Sequence, residues 1–196
     1  VGDERWDRVE EWEVTNQESL TKFVKQIISM DEKTIPKKYR PGAIGALLDE
    51  YERAITDFKK VIEVIPDHAL TIVLDPKTTD ENCKSIQTIL THVVYAGYGY
   101  ATYIQNVKGH NRARPDKTFH LTIPKYLRDL DAIFYFTENI FGEFKDAELD
   151  QPDDSLKIKT HWGISYDIEQ ITEHAIVHIL RHRRQIEKFK LLPGYF

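Results

Sequence analysis

"PGAIGALLDEYERAITDFKKVIEVIP", residues 41–66, is bracketed by two prolines, and how it is read decides the fold class. Proline suits the first turn of a helix, where its missing N–H costs nothing, and it stops a helix met from inside. Between the two, Ile44, Leu47, Leu48, Tyr51, Ile55, Phe58, Ile62 and Ile65 fall within an arc of about 100° when residues are placed 100° apart. That is a helix with one face to bury. We therefore expect a long first helix with Pro41 at its first position, running to about Ile65 and ending at Pro66.

Three further segments carry the same period. The second starts after Asp80 and runs through "NCKSIQTILTHVVYAGYGYATYIQNV" to Gly109, a residue suited to the position just past a helix end. The third begins near Pro124 and buries Tyr126, Leu130, Ile133, Thr137, Ile140, Phe141 and Phe144. The fourth starts near Asp167, which forms a capping-box pair with Gln170, and continues to about Leu191 before Pro193-Gly194. Strand-like alternation is nearly absent, although "LTIVL" at 70–74 could form a short extended segment. A shorter helix precedes all four, with Thr15 and Glu18 in capping-box spacing ahead of "SLTKFVKQIISM". The expectation is all-α: a bundle of four helices over residues 41–192, with an N-terminal helical extension over 1–40. The connections at roughly 66–79, 108–123 and 144–166 exceed the 2–8 residues typical of a minimal bundle, as loops that cover or line a site do.

Composition narrows the function. With 41% hydrophobic and 30% charged residues, the chain has the make-up of a globular protein. A formal charge of −5 argues against a nucleic-acid footprint, which needs a basic surface. The basic clusters, "RHRR" at 181–184 and "NRARPDK" at 111–117, are local. The single cysteine, Cys83, excludes an internal disulfide framework and a thiolate-rich zinc module. Near a helix start its pKa could fall, but with no local His partner it is weak evidence for a nucleophile. No apolar run approaches the roughly 20 residues of a membrane span. The acidic, amphipathic "VGDERWDRVEEWEV" is unlike a signal peptide, so cytoplasmic residence is expected.

The chemistry-bearing residues are histidines. In "EHAIVHILRHRRQIEKF", residues 173–189, His174, His178 and His182 recur once per turn. On the wheel of the fourth helix the apolar stripe is Ile168, Ile171, Ala175, Ile179, Ile186 and Phe189. His182 falls inside that stripe, His178 about 20° past its edge, and His174 about 60° past it among polar residues. A buried ring without a partner costs on the order of 1–3 kcal/mol, so the two inner rings must hydrogen-bond or bind something. Residues i and i+4 stand one above the other, so both imidazoles can converge on one ion, as in HExxH helices. A satisfied core histidine is the plainer alternative. His92 lies off the apolar stripe of its helix, on a face with Tyr95, Ala96, Gly99 and Tyr103. That face reads either as open space beside a candidate ligand or as small residues allowing close packing. His68, His110, His120 and His161 fall in loops, where a solvated or turn role is expected. No phosphate-cradling glycine loop, dinucleotide fingerprint or nucleophile elbow is present.

The segments "SIQTILTH" at 85–92 and "VHILRHRRQI" at 177–186 bring a family into view. The first matches Ser-Ile-x-x-(Ile/Leu)-x-x-His, and the second matches the core of (Asn/Glu)-His-x-x-x-His-Arg-x-Gln. Together, over residues 41 to 190, the chain resembles the DinB/YfiT-like superfamily of metalloenzymes. Arg184 stands where that family often has Gly, and Val177 where a polar residue is common. The resemblance implies a four-helix bundle that is a mirror variant of the up-and-down arrangement. It also implies His92, His178 and His182 as ligands of one metal ion, with zinc or nickel best suited to imidazole. Three protein ligands leave a position open, the mark of a catalytic site. The expected function is then that of a metal-dependent hydrolase or thiol-dependent transferase acting on a small molecule, with a low-molecular-weight thiol as one co-substrate. Tyr95, Tyr103 and Gln185 are the candidates for contacting substrate or supporting a ligand. A homodimer and no nucleic-acid partner complete the expectation. The rival is a non-catalytic binding or stress-response bundle, with a stabilising metal or none.

Overall fold

A computed structural model describes residues 38–192 of the chain. The expected N-terminal helix and its Thr15–Glu18 cap lie outside the described residues. From Tyr39 onward the chain forms a compact unit built on four helices: α1 (Gly42–Ile62), α2 (Ile86–Val107), α3 (Ile123–Phe141) and α4 (Ile168–Phe189). The expected apolar stripes face inward. Phe58 and Ile62 of α1, Ile86 and Leu90 of α2, Leu130 and Ile133 of α3, and Ile171 and Ile186 of α4 meet in one core.

The helices begin in two different ways. Ser85 caps α2 through a reciprocal pair with Thr88, and Asp167 caps α4 through the expected pair with Gln170. In contrast, neither Pro41 nor Thr122 supplies a side-chain cap to α1 or α3. Pro41 is the residue before the helix and not its first position, with φ −75° and ψ 152°. The free amides of Ala43 and Ile44 instead donate to the Asp146 carboxylate at 3.0 Å each. The Ile123 amide donates to Asp67 Oδ1 at 2.7 Å. Carboxylates from distant connections thus cap two helices whose own sequence offers no cap.

Around the core, α1 lies beside α3 and α4, and α2 lies beside the same two. The order around the bundle is therefore α1, α3, α2, α4, so α1 and α2 sit on one diagonal and α3 and α4 on the other. The two connections that must cross a diagonal are the long ones after Ile62 and after Phe141. The first includes 3₁₀ turns at Asp67–Ala69 and Glu81–Cys83. The extended segment expected at 70–74 is not a strand, because Leu70 continues the turn and buries its side chain completely. Extended pairing occurs in the second connection, where β1 (Ile158–Lys159) and β2 (Ser165–Tyr166) form an antiparallel hairpin. Gly163 at φ +87° makes its turn and leaves Trp162 near the tip. Among the described residues no helix is long and apolar enough to cross a membrane.

Candidate metal centre

Because α2 and α4 are neighbours, the inner flank of one faces the inner flank of the other. His92 of α2 meets His178 and His182 of α4 there. The Nε2 atoms of His92 and His178 are 3.0 Å apart, and those of His178 and His182 are 3.2 Å apart. All three ligand atoms lie within 4.8 Å of one another. His182 is 2% exposed, and its Nδ1 is 3.0 Å from Gln185 Oε1. A carbonyl oxygen can only accept, so Nδ1 carries the hydrogen and Nε2 presents a bare lone pair to the other rings.

This donor set fits a cation better than it fits itself. His178 Nε2 faces two nitrogens and has one hydrogen at most to offer them. A tetrahedral zinc with Zn–N of about 2.0–2.1 Å places its nitrogens ~3.3 Å apart, and two of the separations lie within a few tenths of an ångström of that. Burial, then the neighbouring His182, lowers the His92 pKa to about 4. The same causes in the same order lower that of His178 to about 2. His182 is also lowered, mainly by burial, with the Gln185 hydrogen bond opposing. All three rings are therefore neutral near pH 7, the state a metal ligand requires.

The cluster opens to one side. A pocket of about 270 Å³ has His92 in its wall, beneath Tyr95, Tyr100 and Tyr103 of α2. Ala96 and Gly99 leave the space between those rings, as the open-space reading of this face requires. The other walls come from the loops, with Arg114 and Lys117 from the α2–α3 connection and His161 and Trp162 from the hairpin.

The residues singled out in the sequence take distinct places. Tyr95 lines the pocket, and the Arg114 guanidinium lies 3.7 Å from its ring centroid. The Tyr103 hydroxyl accepts from the His161 backbone N–H at 3.0 Å and is 3.0 Å from His161 Nδ1. Gln185 lies outside the pocket and acts on His182. His174 is not among the converging ligands, although its ring stacks on His178 at 6.4 Å and on Trp162 at 5.9 Å, and its Nδ1 is 3.3 Å from the Tyr166 hydroxyl.

Two loop histidines have more specific partners than a solvated or turn role requires. His161 is held at the pocket by Tyr103 and is not merely a turn residue. His120 is half-buried and 2.7 Å from the Asp129 carboxylate, fastening its loop to α3. Cys83 shows no activation, since burial is the main cause pushing its thiol pKa up. Arg114, Trp162 and Tyr100 were not anticipated. Tyr100 is on α2 and could have been read from its spacing to His92 across two turns. The loop residues carried no local signal beyond the length of their connections.

A bundle with three neutral imidazoles on facing helices defines a class, the helical bundle with a candidate histidine metal site. The DinB family model matches residues 36–189, and the chain belongs to that family. A comparison with curated proteins finds no match.

Proposed function

We propose that the protein holds one divalent cation, zinc or nickel, on His92, His178 and His182, and uses it in catalysis on a small molecule bound in the adjoining pocket. The observation that carries this reading is the convergence of three neutral Nε2 atoms beside a pocket that only one side of the cluster reaches. When bound, such an ion supplies Lewis acidity toward a carbonyl group or a thiol, which supports hydrolysis or transfer to a low-molecular-weight thiol. The chain's own residues divide the remaining tasks. Gln185 orients His182 by accepting from its Nδ1–H. Burial lifts the Tyr100 phenol to about 12, so its hydroxyl stays protonated and can donate to a bound substrate. The Tyr103 hydroxyl lies 3.0 Å from His161 Nδ1 and can donate to it at the pocket wall. Trp162 adds an apolar ring to the pocket wall.

Elemental analysis of the purified protein tests the cation. Wild type is expected to carry close to one equivalent, and His92→Ala and His182→Ala to lose it. Stoichiometric metal in both variants would show that the ion sits elsewhere. Loaded protein is then assayed for ester hydrolysis and for thiol conjugation. Activity in neither, together with loss of fold on chelation, would favour a structural metal in a non-catalytic bundle.

A further inference from the structure

The chain is acidic, with 32 carboxylate side chains against 27 basic ones, yet the pocket beside the histidines has the opposite character. Arg114 and Lys117 stand in its wall without a single Asp or Glu. An adjoining cavity of about 270 Å³ shares Arg114 and adds Arg112, again with no carboxylate. Among the described residues, none of these three cations is in an ion pair. Arg114 lies over Tyr95, and Lys117 donates to the neutral Asn82 side chain at 2.8 Å.

Their placement is built into the backbone. The Asn106 side chain grips Arg112 from both sides, accepting its N–H at 2.9 Å and donating to its carbonyl at 3.0 Å. Two residues on, Arg114 crosses α2 at Gly99, where an added Cβ would fall 2.7 Å from Nη1. The half-buried guanidinium therefore rests on one ring face and on a gap in the helix, with its N–H groups uncommitted to any carboxylate. A planar fork of that kind matches an oxyanion. Tyr95, Tyr100, Tyr103 and Trp162 supply apolar surface beside it.

We propose that this pocket selects a small organic anion, whose carboxylate or phosphate is held by Arg114 with help from Lys117 and whose apolar body lies on the surrounding rings. The inference rests on the metal-site reading in naming this ligand as the substrate, while the anion subsite itself is made of other residues. The uncompensated charge of a dication on three neutral ligands would act in the same direction.

The test is titration calorimetry with benzoate, phenyl phosphate and the uncharged benzamide, on metal-depleted and on zinc-loaded protein. In metal-depleted wild type at least one of the two anions is expected to bind tenfold or more tightly than benzamide, and the better anion identifies the group. Arg114→Met is expected to abolish that preference while keeping helical circular dichroism and zinc stoichiometry. Lys117→Met is expected to weaken it several-fold, and gives a second reading should Arg114→Met fold poorly. The proposal is overturned by absence of anion preference in metal-depleted wild type, by a preference that persists unchanged in both variants, or by one that requires zinc and ignores Arg114. The cation proposal fails separately, through the zinc content of the histidine variants, which leave Arg114 and Lys117 in place.

Discussion

Gln185 decides which nitrogen of His182 is free, and this gives it a measurable role although it does not line the pocket beside His92. Removing the acceptor with Gln185→Leu should weaken zinc affinity by roughly 10–100-fold, as loss of a ligand's hydrogen-bond partner commonly does. Competition against a chromophoric chelator measures this, and unchanged affinity would show that packing alone orients His182. The lowered histidine pKa values also set a pH dependence. Their folded values lie below an unfolded value of about 6.5, so in that window the unfolded chain binds more protons. Stability of the metal-free protein should be fully present above pH 7. It should fall as pH drops through 6.5 toward about 4, where His92 itself protonates. Between pH 7.5 and 5.5 the loss should be roughly 1–3 kcal/mol by urea denaturation, because His92 and His178 keep some solvent contact. His178→Ala should flatten the profile, and a flat wild-type curve would mean the rings are hydrated when folded.

At the scale of the elements, the contrast between local and borrowed caps separates what neighbouring residues specify from what the bundle provides. Asp67→Ala and Asp146→Ala should each destabilise by about 1 kcal/mol, the usual value of an N-cap. Thermal or urea unfolding checks it, and Ala changes that cost nothing would show that water satisfies the α1 and α3 amides equally well. The approach of α2 to α3 depends on Gly97, where an added Cβ would meet the Ile133 Cδ1 at 2.7 Å and the Tyr51 hydroxyl at 3.3 Å. Gly97→Ala raises helix propensity but overfills a packed interface, so a net loss of about 1–2 kcal/mol is expected. A stabilised variant would mean that the interface relaxes freely. Gly99, two residues on, serves the guanidinium of Arg114 and not helix packing, so two glycines of one helix have different reasons to lack a side chain.

On the scale of the whole molecule, Arg40 joins the start of α1 to α3. It donates to Asp49 at 2.7 Å, to Glu52 at 2.8 Å and to Glu138 at 2.8 Å. Asp49 is 3% exposed, so losing its guanidinium neighbour is costly. Arg40→Met should destabilise by roughly 2–3 kcal/mol, below the full value for a buried pair because Arg40 itself is partly solvated. A loss under about 0.5 kcal/mol would place the network among surface ion pairs of little consequence. Arg40 thus ties elements together, whereas Arg114 is left facing a pocket.

Within 41–66, the apolar period and the two flanking prolines were enough to predict α1, and the same period located α2, α3 and α4. Periodicity is a property of neighbours along the chain, and burial follows it wherever a helix has one face to cover. The wheel of α4 likewise put His178 and His182 on the inner side and His174 outside, and the cluster keeps that distinction. What only the tertiary structure decided depends on residues far apart in sequence. The ring order that sets α2 beside α4 brings His92 to the other two rings. The connections that cross the diagonals deliver Asp67 and Asp146 to helix ends, while the loop and the hairpin beside α2 deliver Arg114, His161 and Trp162 to the pocket. Those contacts follow from how the helices pack and have no spacing that a linear pattern could record.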